Sequence, residues 1–376
     1  MVQAGNDSST QRPDAAPGTA RRAGGAGSPR RRGWVLAAAV LVVAALVAWL
    51  VVGRDDPSED GPGGTSEAGP PRPGWEGAMV GVFRSTNAEE VEAYEAWLGR
   101  PLDLVVDIPA RANWFDISAP DYLLEEWQQA GRRLVMGLAM LPEEVDGVSI
   151  EAGARGEYDE YFRTLGERMV AYGLEDSVLR VGWEFNLESW PWYTTDAETW
   201  IRYFQRIVDA MRSVPGQAFQ FDWNVNNGNS RGMDPVDFYP GDDYVDYVGV
   251  DAYDVAGSVY PVPSGCTGDC AQDYHQRAWD DVVYGGDRGL RFWSEFAASR
   301  GKLLSLPEWG VWERFDGTGG GDNPFYIEQM ARFIADPANA VGYQAYFEDD
   351  NSQGSHRLMG GEFPRSTERY LELFGG

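Results

Sequence analysis

Histidine is nearly missing from this 376-residue chain; His275 and His356 are the only two. That scarcity excludes most zinc hydrolase sites, which draw on two or three imidazoles, and sets aside a Ser-His-Asp triad. Cysteine is as scarce. Cys266 and Cys270 stand four positions apart in Gly265-Cys-Thr-Gly-Asp-Cys270. No further cysteine and no neighbouring histidine pair completes a four-ligand metal site, so no metal is expected. A short loop disulfide is the default if this part of the chain lies outside the cell. Lys302 is the only lysine, which is a feature of composition and carries no mechanism. No short-period repeat is visible, and the first strand-like run ends in Arg84-Ser-Thr-Asn87, without the Gly-rich phosphate turn of a dinucleotide-binding sheet.

Residues 1–33 are rich in Gly, Ala, Ser, Pro and Arg and cannot bury a core. Residues 34–52 then run without a charge or a proline. As a helix this stretch spans roughly the 30 Å of a bilayer's hydrocarbon core. Six arginines precede it, whereas Arg54 is followed at once by Asp55 and Asp56. The positive-inside rule therefore puts 1–33 in the cytoplasm and the rest outside. The competing reading is a cleaved signal peptide, but the run is long for one and no small-x-small cleavage site follows. Residues 53–74 read as a disordered spacer. The expected plan is a cytoplasmic segment (1–33), a transmembrane signal anchor (34–52), a linker (53–74) and one exported domain (75–376), in a single-pass protein of the cell membrane. Six arginines against two aspartates in residues 1–52 leave 32 net negative charges on the remainder of a chain whose total is −28. That balance argues against nucleic acid as a partner.

In the exported part, β-branched runs alternate with amphipathic ones. Strands are expected at 79–84, 102–108, 133–138, 178–183, 218–223, 244–250, 302–306 and 340–347. Helices are expected between them at 88–98, 120–130, 158–172, 196–212, 276–299 with a break near Gly285-Gly286, and 324–334, with 366–374 closing the chain. Asn87 is the expected cap of the first helix. Eight βα units over about 300 residues match a (β/α)8 TIM barrel, whose catalytic groups sit at the C-terminal strand ends. Glu184 ends the fourth candidate and Glu308 the seventh. Strand alternation predicts that Arg180, Gly182, Glu184 and Asn186 share one face, as do Gly249, Asp251 and Tyr253, and likewise Leu304, Leu306 and Glu308.

Both glutamates stand among tryptophans, in Arg180-Val-Gly-Trp183-Glu184-Phe-Asn186 with Trp190-Pro-Trp192, and in Pro307-Glu308-Trp309-Gly310-Val-Trp312. Two carboxyls can divide acid and nucleophile duties at a glycosidic bond, and aromatic faces hold sugar rings. Of fifteen tryptophans, those near predicted strand ends, Trp183, Trp190, Trp192, Trp223, Trp309 and Trp312, are the candidate sugar contacts, with Asp251 as a candidate partner for hydroxyls. Trp114 is a weaker candidate, and Glu188 is a rival acid on the loop after Asn186. Asp316-Gly-Thr-Gly-Gly-Gly-Asp322 and Glu348-Asp-Asp-Asn351 carry oxygen ligands that could suit Ca²⁺, but neither has the spacing of a known loop, and mobile substrate-side loops are expected.

Arg180-x-x-x-Glu184-x-Asn186 with the two tryptophans after it, the run from Phe238-Tyr-Pro-Gly241 to Asp251-Ala-Tyr253, and Pro307-Glu308-Trp309-Gly310 together resemble glycoside hydrolase family 26 over about residues 78–376. The resemblance implies a retaining (β/α)8 enzyme on β-linked polysaccharide of mannan, xylan or glucan type. It implies Glu184 as acid/base, Glu308 as nucleophile and Tyr253 as the residue orienting the nucleophile. Arg180 and Asn186 are expected to support them. It departs from the family pattern at Trp183, where the family has His, and at Leu187, where it has Gly. No cofactor is expected, and a monomer is. A non-catalytic glycan-binding envelope protein and a transglycosidase on the same barrel remain the alternatives.

Overall fold

The computed structural model describes residues 77–376 except 129, 229 and 231. The expected segments 1–33, 34–52 and 53–74 lie outside the described residues. Among the described residues no helix is long and apolar enough to cross a membrane.

The strands are, in chain order, β1 (Met79–Phe83), β2 (Leu104–Asp107), β3 (Arg133–Leu138), β4 (Val178–Val181), β5 (Gln220–Asn226), β6 (Tyr247–Tyr253), β7 (Leu303–Gly310), β8 (Glu313–Arg314), β9 (Val341–Phe347), β10 (Asp350–Asn351) and β11 (Gly354–Ser355). β1 to β7 and β9 are parallel neighbours and close a barrel, with β9 pairing back to β1. β8, β10 and β11 form a small antiparallel sheet. Its β8 precedes the loop of Asp316 to Asp322, and β10 and β11 take up part of the one expected around Asn351. Neither acidic run is open for a cation: the Asp316 carboxylate takes Arg314 and Thr318, and Glu348 accepts the amides of Leu358 and Met359.

The helices are α1 (Ala88–Leu98), α2 (Trp114–Ser118), α3 (Asp121–Gln128), α4 (Ile150–Ala154), α5 (Asp159–Ala171), α6 (Ala197–Arg212), α7 (Asp269–Ala278), α8 (Leu290–Ser299), α9 (Pro324–Ala335) and α10 (Pro364–Phe374). Asn87 does cap α1, accepting the amide of Glu90. No helix is expected between the fifth and sixth strands, and among the described residues none forms there. The β5–β6 connection carries two 3-10 turns, Pro235–Phe238 and Asp242–Tyr244, where a helix would stand. Pro235, Pro240 and Gly241 punctuate that segment too closely for an α-helix. Phe238 fills the gap, buried against Phe185 and Trp200.

Strand alternation sorts the core into two layers. Leu104, Val106, Val135, Val178, Tyr247, Tyr343 and Ala345 pack together inside the barrel. Their neighbours, among them Val105, Leu134, Leu179, Val248 and Leu304, join the helices' apolar faces outside it. Above the inner apolar layer the interior turns polar. Asp222 accepts from the hydroxyls of Ser305 and Tyr343. A Cβ at residue 249 would lie 2.2 Å from Asp222 Oδ1, so only glycine lets β6 pass this carboxylate.

Two of the three shared faces inferred from alternation are corrected. β4 ends at Val181, and Gly182 and Glu184 take left-handed backbone, φ 57° and 50°. Glu184 therefore reaches the strand mouth through a turn. That conformation costs a non-glycine residue roughly 1 kcal/mol or more. In β7, Leu304 and Leu306 face the helices and Ser305 faces inward. Five residues of β7, Ser305 to Trp309, then span four of β6, Gly249 to Ala252. This bulge at Pro307, which has no amide hydrogen to give the ladder, shifts the phase so that Glu308 turns inward. The third face, Gly249, Asp251 and Tyr253, stands as expected.

Candidate active site

Arg180 is the hub of the barrel mouth and is fully buried. Its Nη1 donates to Glu308 Oε1 at 2.7 Å, and its Nη2 to Asp251 Oδ2 and Asn224 Oδ1, each at 2.7 Å. Burial alone would pull the guanidinium's pKa down, but the Asp251 and Glu308 carboxylates outweigh it and push it up. Arg180 therefore stays charged. The second oxygen of Glu308 accepts from the Tyr253 hydroxyl at 2.7 Å. Tyr253 is itself held by Trp312, Phe347 and His356. Burial drives the His356 pKa down to about 3, so this ring is neutral packing.

Glu184 has a different setting. Asn226 Nδ2 donates to its Oε1 at 2.6 Å and Trp190 Nε1 to its Oε2 at 3.3 Å. Burial, and then the charge of Glu308, raise its pKa to about 7. One carboxyl is thus gripped by a cation and a phenol, while the other is held near its protonated form at neutral pH. Environments that separate two carboxyls in this way suit acid and nucleophile roles.

Glu184, Glu308, Asp251 and Tyr253 line one cleft of about 600 Å³ together with Trp183, Trp190 and Trp312. Asn186 does not line it. Its side chain binds the backbone of Asn226 and the Ser230 hydroxyl, and so fixes the residue that holds Glu184. Trp192 lies beneath the cleft wall, fully buried, stacked on Trp190 and donating to the Trp183 carbonyl.

Trp223 and Trp309 are corrections. Both point into the helix layer, Trp223 by strand alternation and Trp309 because the bulge in β7 reverses its phase. Trp223 packs on Phe185, Trp293 and Phe296, and Trp309 on Tyr346, Tyr370 and Phe374. Neither reaches the cleft, and neither is a sugar contact. Trp114 likewise stacks on Tyr161 at the helix surface. Cys266 and Cys270 form the expected disulfide.

Sequence reasoning missed Asn224, Asn226 and Arg111. The two asparagines were legible, because Asp222-Trp-Asn224-Val-Asn226 alternates with one inward face. Arg111 lies on the loop after β2 and lines the cleft, and no local pattern marks it.

The sequence profile of glycosyl hydrolase family 26 matches residues 178–262, which carry Arg180, Glu184, Asn226 and Tyr253. Endoglucanase H of Acetivibrio thermocellus is 32% identical over 185 residues, 47% of this chain, and the chain spans only 19% of that relative's length. Among solved structures, a modular endo-beta-1,4-mannanase from Cellulomonas fimi superposes with a TM-score of 0.52 at 18% identity, covering 79% of this chain and 72% of that one. GH26C from Muricauda sp. gives 0.53 at 18% identity, covering 80% and 85%. The structural likenesses carry the barrel fold, and the profile match falls on the strands that bring Glu184 and Tyr253 to its mouth, so over residues 178–262 the chain is similar to glycosyl hydrolase family 26.

Proposed function

We propose that the chain is an exported, membrane-tethered retaining glycoside hydrolase that cleaves β-linked polysaccharide of mannan, xylan or glucan type, or an exopolysaccharide at the cell surface. The observation that carries the reading is the pair of carboxyls in one cleft, Glu308 held by Arg180 and Tyr253, and Glu184 buried with a pKa of about 7. Glu184 gives its proton to the leaving glycosidic oxygen while a Glu308 oxygen attacks the anomeric carbon. The bond to the leaving sugar breaks and a glycosyl ester on Glu308 forms. Glu184, now ionised, takes a proton from water, whose oxygen displaces Glu308 and releases the sugar. Two inversions give net retention. Tyr253 and Arg180 would orient Glu308, and Asn186 would act through Asn226. The tether, residues 34–52, would keep the domain at the cell surface, beside polymer made there.

The full-length protein and its Glu308→Gln variant should be compared on β-mannan, β-xylan, mixed-linkage glucan and extracted cell-surface polysaccharide, reading new reducing ends. Turnover only in the wild type is the expected result. Silence of both with binding retained would replace hydrolysis by glycan binding, and longer oligosaccharides among the products would mean transglycosylation. The first product anomer seen by proton NMR should have the configuration of the bond cleaved, and inversion would sink the double displacement.

A pH dependence follows from Glu184. It is the proton donor in the first step, so it works while protonated and fails once ionised. The plot of kcat/KM should therefore fall as pH rises through about 7. An aryl glycoside whose phenolate leaves unaided should lose this alkaline limb. Asn226 and Trp190 both donate to Glu184 and favour its ionised form. Asn226→Ala should therefore move the limb to higher pH. A limb that stays in place, or moves down, would remove Asn226 from the acid's environment.

A further inference from the structure

The aromatic wall beside Glu184 is not bare. The guanidinium carbon of Arg111 lies 5.5 and 5.1 Å from the ring centroids of Trp183 and Trp190. Trp190 in turn donates to Glu184, so Arg111 stands one side chain away from that carboxyl. The cleft's other rim cation, Arg314, lies over Trp312 but is fully engaged, with Nε and Nη2 on Asp316 and Nη1 on Gln353. Arg111 is not. Its Nε donates to Glu143 at 2.9 Å, and among the described residues its two terminal amino groups have no hydrogen-bond partner. The pair with Glu143 is partly open to solvent, with side chains 24% and 40% exposed, and a pair of that kind holds weakly.

A guanidinium laid on two indoles is held in place, and its free edge matches a carboxylate through two parallel hydrogen bonds. Trp183, which stands where the family has His, supplies half of that seat. A neutral hydroxyl can accept from such a group, but a carboxylate accepts through two oxygens and adds the charge, so a cation so placed discriminates between a sugar carrying an acid and the same sugar without one.

We propose that Arg111 is a carboxylate-binding position of the cleft, so that the polysaccharide it takes carries carboxylates, as uronate rings or as appended acid groups, beside the bond at Glu184. This rests on the hydrolase reading of the same cleft. The test is calorimetric titration of the full-length Glu308→Gln protein with matched pairs of oligosaccharides. One pair is β-1,4-mannuronan tetrasaccharide against mannotetraose, which differ only in the acid on the ring. The other is succinylated cellotetraose against cellotetraose. The charged member of at least one pair should bind about tenfold tighter or more. Adding Arg111→Gln should erase that ratio, Arg111→Lys should keep part of it, and Glu143→Gln, which releases Arg111, should increase it.

Equal affinities within both pairs would overturn the proposal, as would a ratio that survives Arg111→Gln. Which pair shows the preference separates ring from appended carboxylates. Wild-type cleavage of the neutral oligosaccharides with no charge preference would leave the hydrolase reading standing and remove this one. A carboxylate preference abolished by Arg111→Gln, in a wild type that cleaves nothing, would do the reverse.

Discussion

Glu308→Gln should lower kcat on a polysaccharide substrate by on the order of 10⁴-fold, with KM unchanged or lower. Glutamine is nearly isosteric, so the fold and the cleft should persist. What disappears is the anionic oxygen that forms the covalent bond. The amide oxygen can still accept from Arg180 while its NH2 turns to Tyr253, whose hydroxyl then accepts instead of donating, so two 2.7 Å charge-assisted hydrogen bonds are exchanged for weaker ones to a neutral amide. A modest fall in Tm is therefore expected beside the large fall in rate. Glu308→Gly in the presence of azide distinguishes a nucleophile from a structural carboxylate. Azide entering the vacated space attacks the same face of the anomeric carbon that Glu308 would have attacked, and an α-glycosyl azide should accumulate from a β-linked aryl glycoside. Residual turnover within about tenfold of wild type would assign the nucleophile elsewhere.

How far the site was legible in the sequence depends on backbone regularity. Where strands are regular, phase alone placed residues. Gly249, Asp251 and Tyr253 face inward on β6 as alternation requires, and the same rule applied to Asp222 would have turned Trp223 outward. Where the backbone departs from the pleat, phase failed. Glu184 arrives at the cleft through two left-handed residues after a four-residue strand, and Glu308 through a bulge at Pro307. Both glutamates sit at the strand ends that the sequence indicated, but neither is oriented by the alternation that had been expected to orient it. Irregular backbone at the two positions where chemistry would occur is the kind of local cost a fold carries at its site. Arg111 illustrates another limit. Its relation to Trp183 and Trp190 exists only once β2 and β4 are brought to the same mouth. The tryptophan-rich motifs were read as sugar platforms, yet two of those rings belong to the helix layer and a third lies beneath the wall, because tryptophan serves packing and recognition with the same surface.

Arg180→Met should destabilise the protein by about 3–5 kcal/mol, seen as a lower midpoint in denaturant, and should also abolish turnover. The guanidinium is fully buried and supplies donors to Asp251, Glu308 and Asn224 at once. Methionine fills much of the volume but leaves two carboxyls facing each other with no cation between them, in a layer where Asp251 is only 1% exposed. Removing one partner of a buried ion pair is costly because the other stays behind uncompensated, and here two stay behind. Arg180→Lys should recover only part of the loss, since one ammonium cannot match the fork that meets three acceptors. The double variant Arg180→Met/Asp251→Asn separates structure from chemistry. It removes one of the stranded charges and should restore a substantial part of the stability, while turnover stays absent because Glu308 still lacks the cation that holds its carboxylate toward the cleft. Recovery of both together would make Arg180 a purely structural residue, and recovery of neither would place the main cost at Glu308 and not at Asp251.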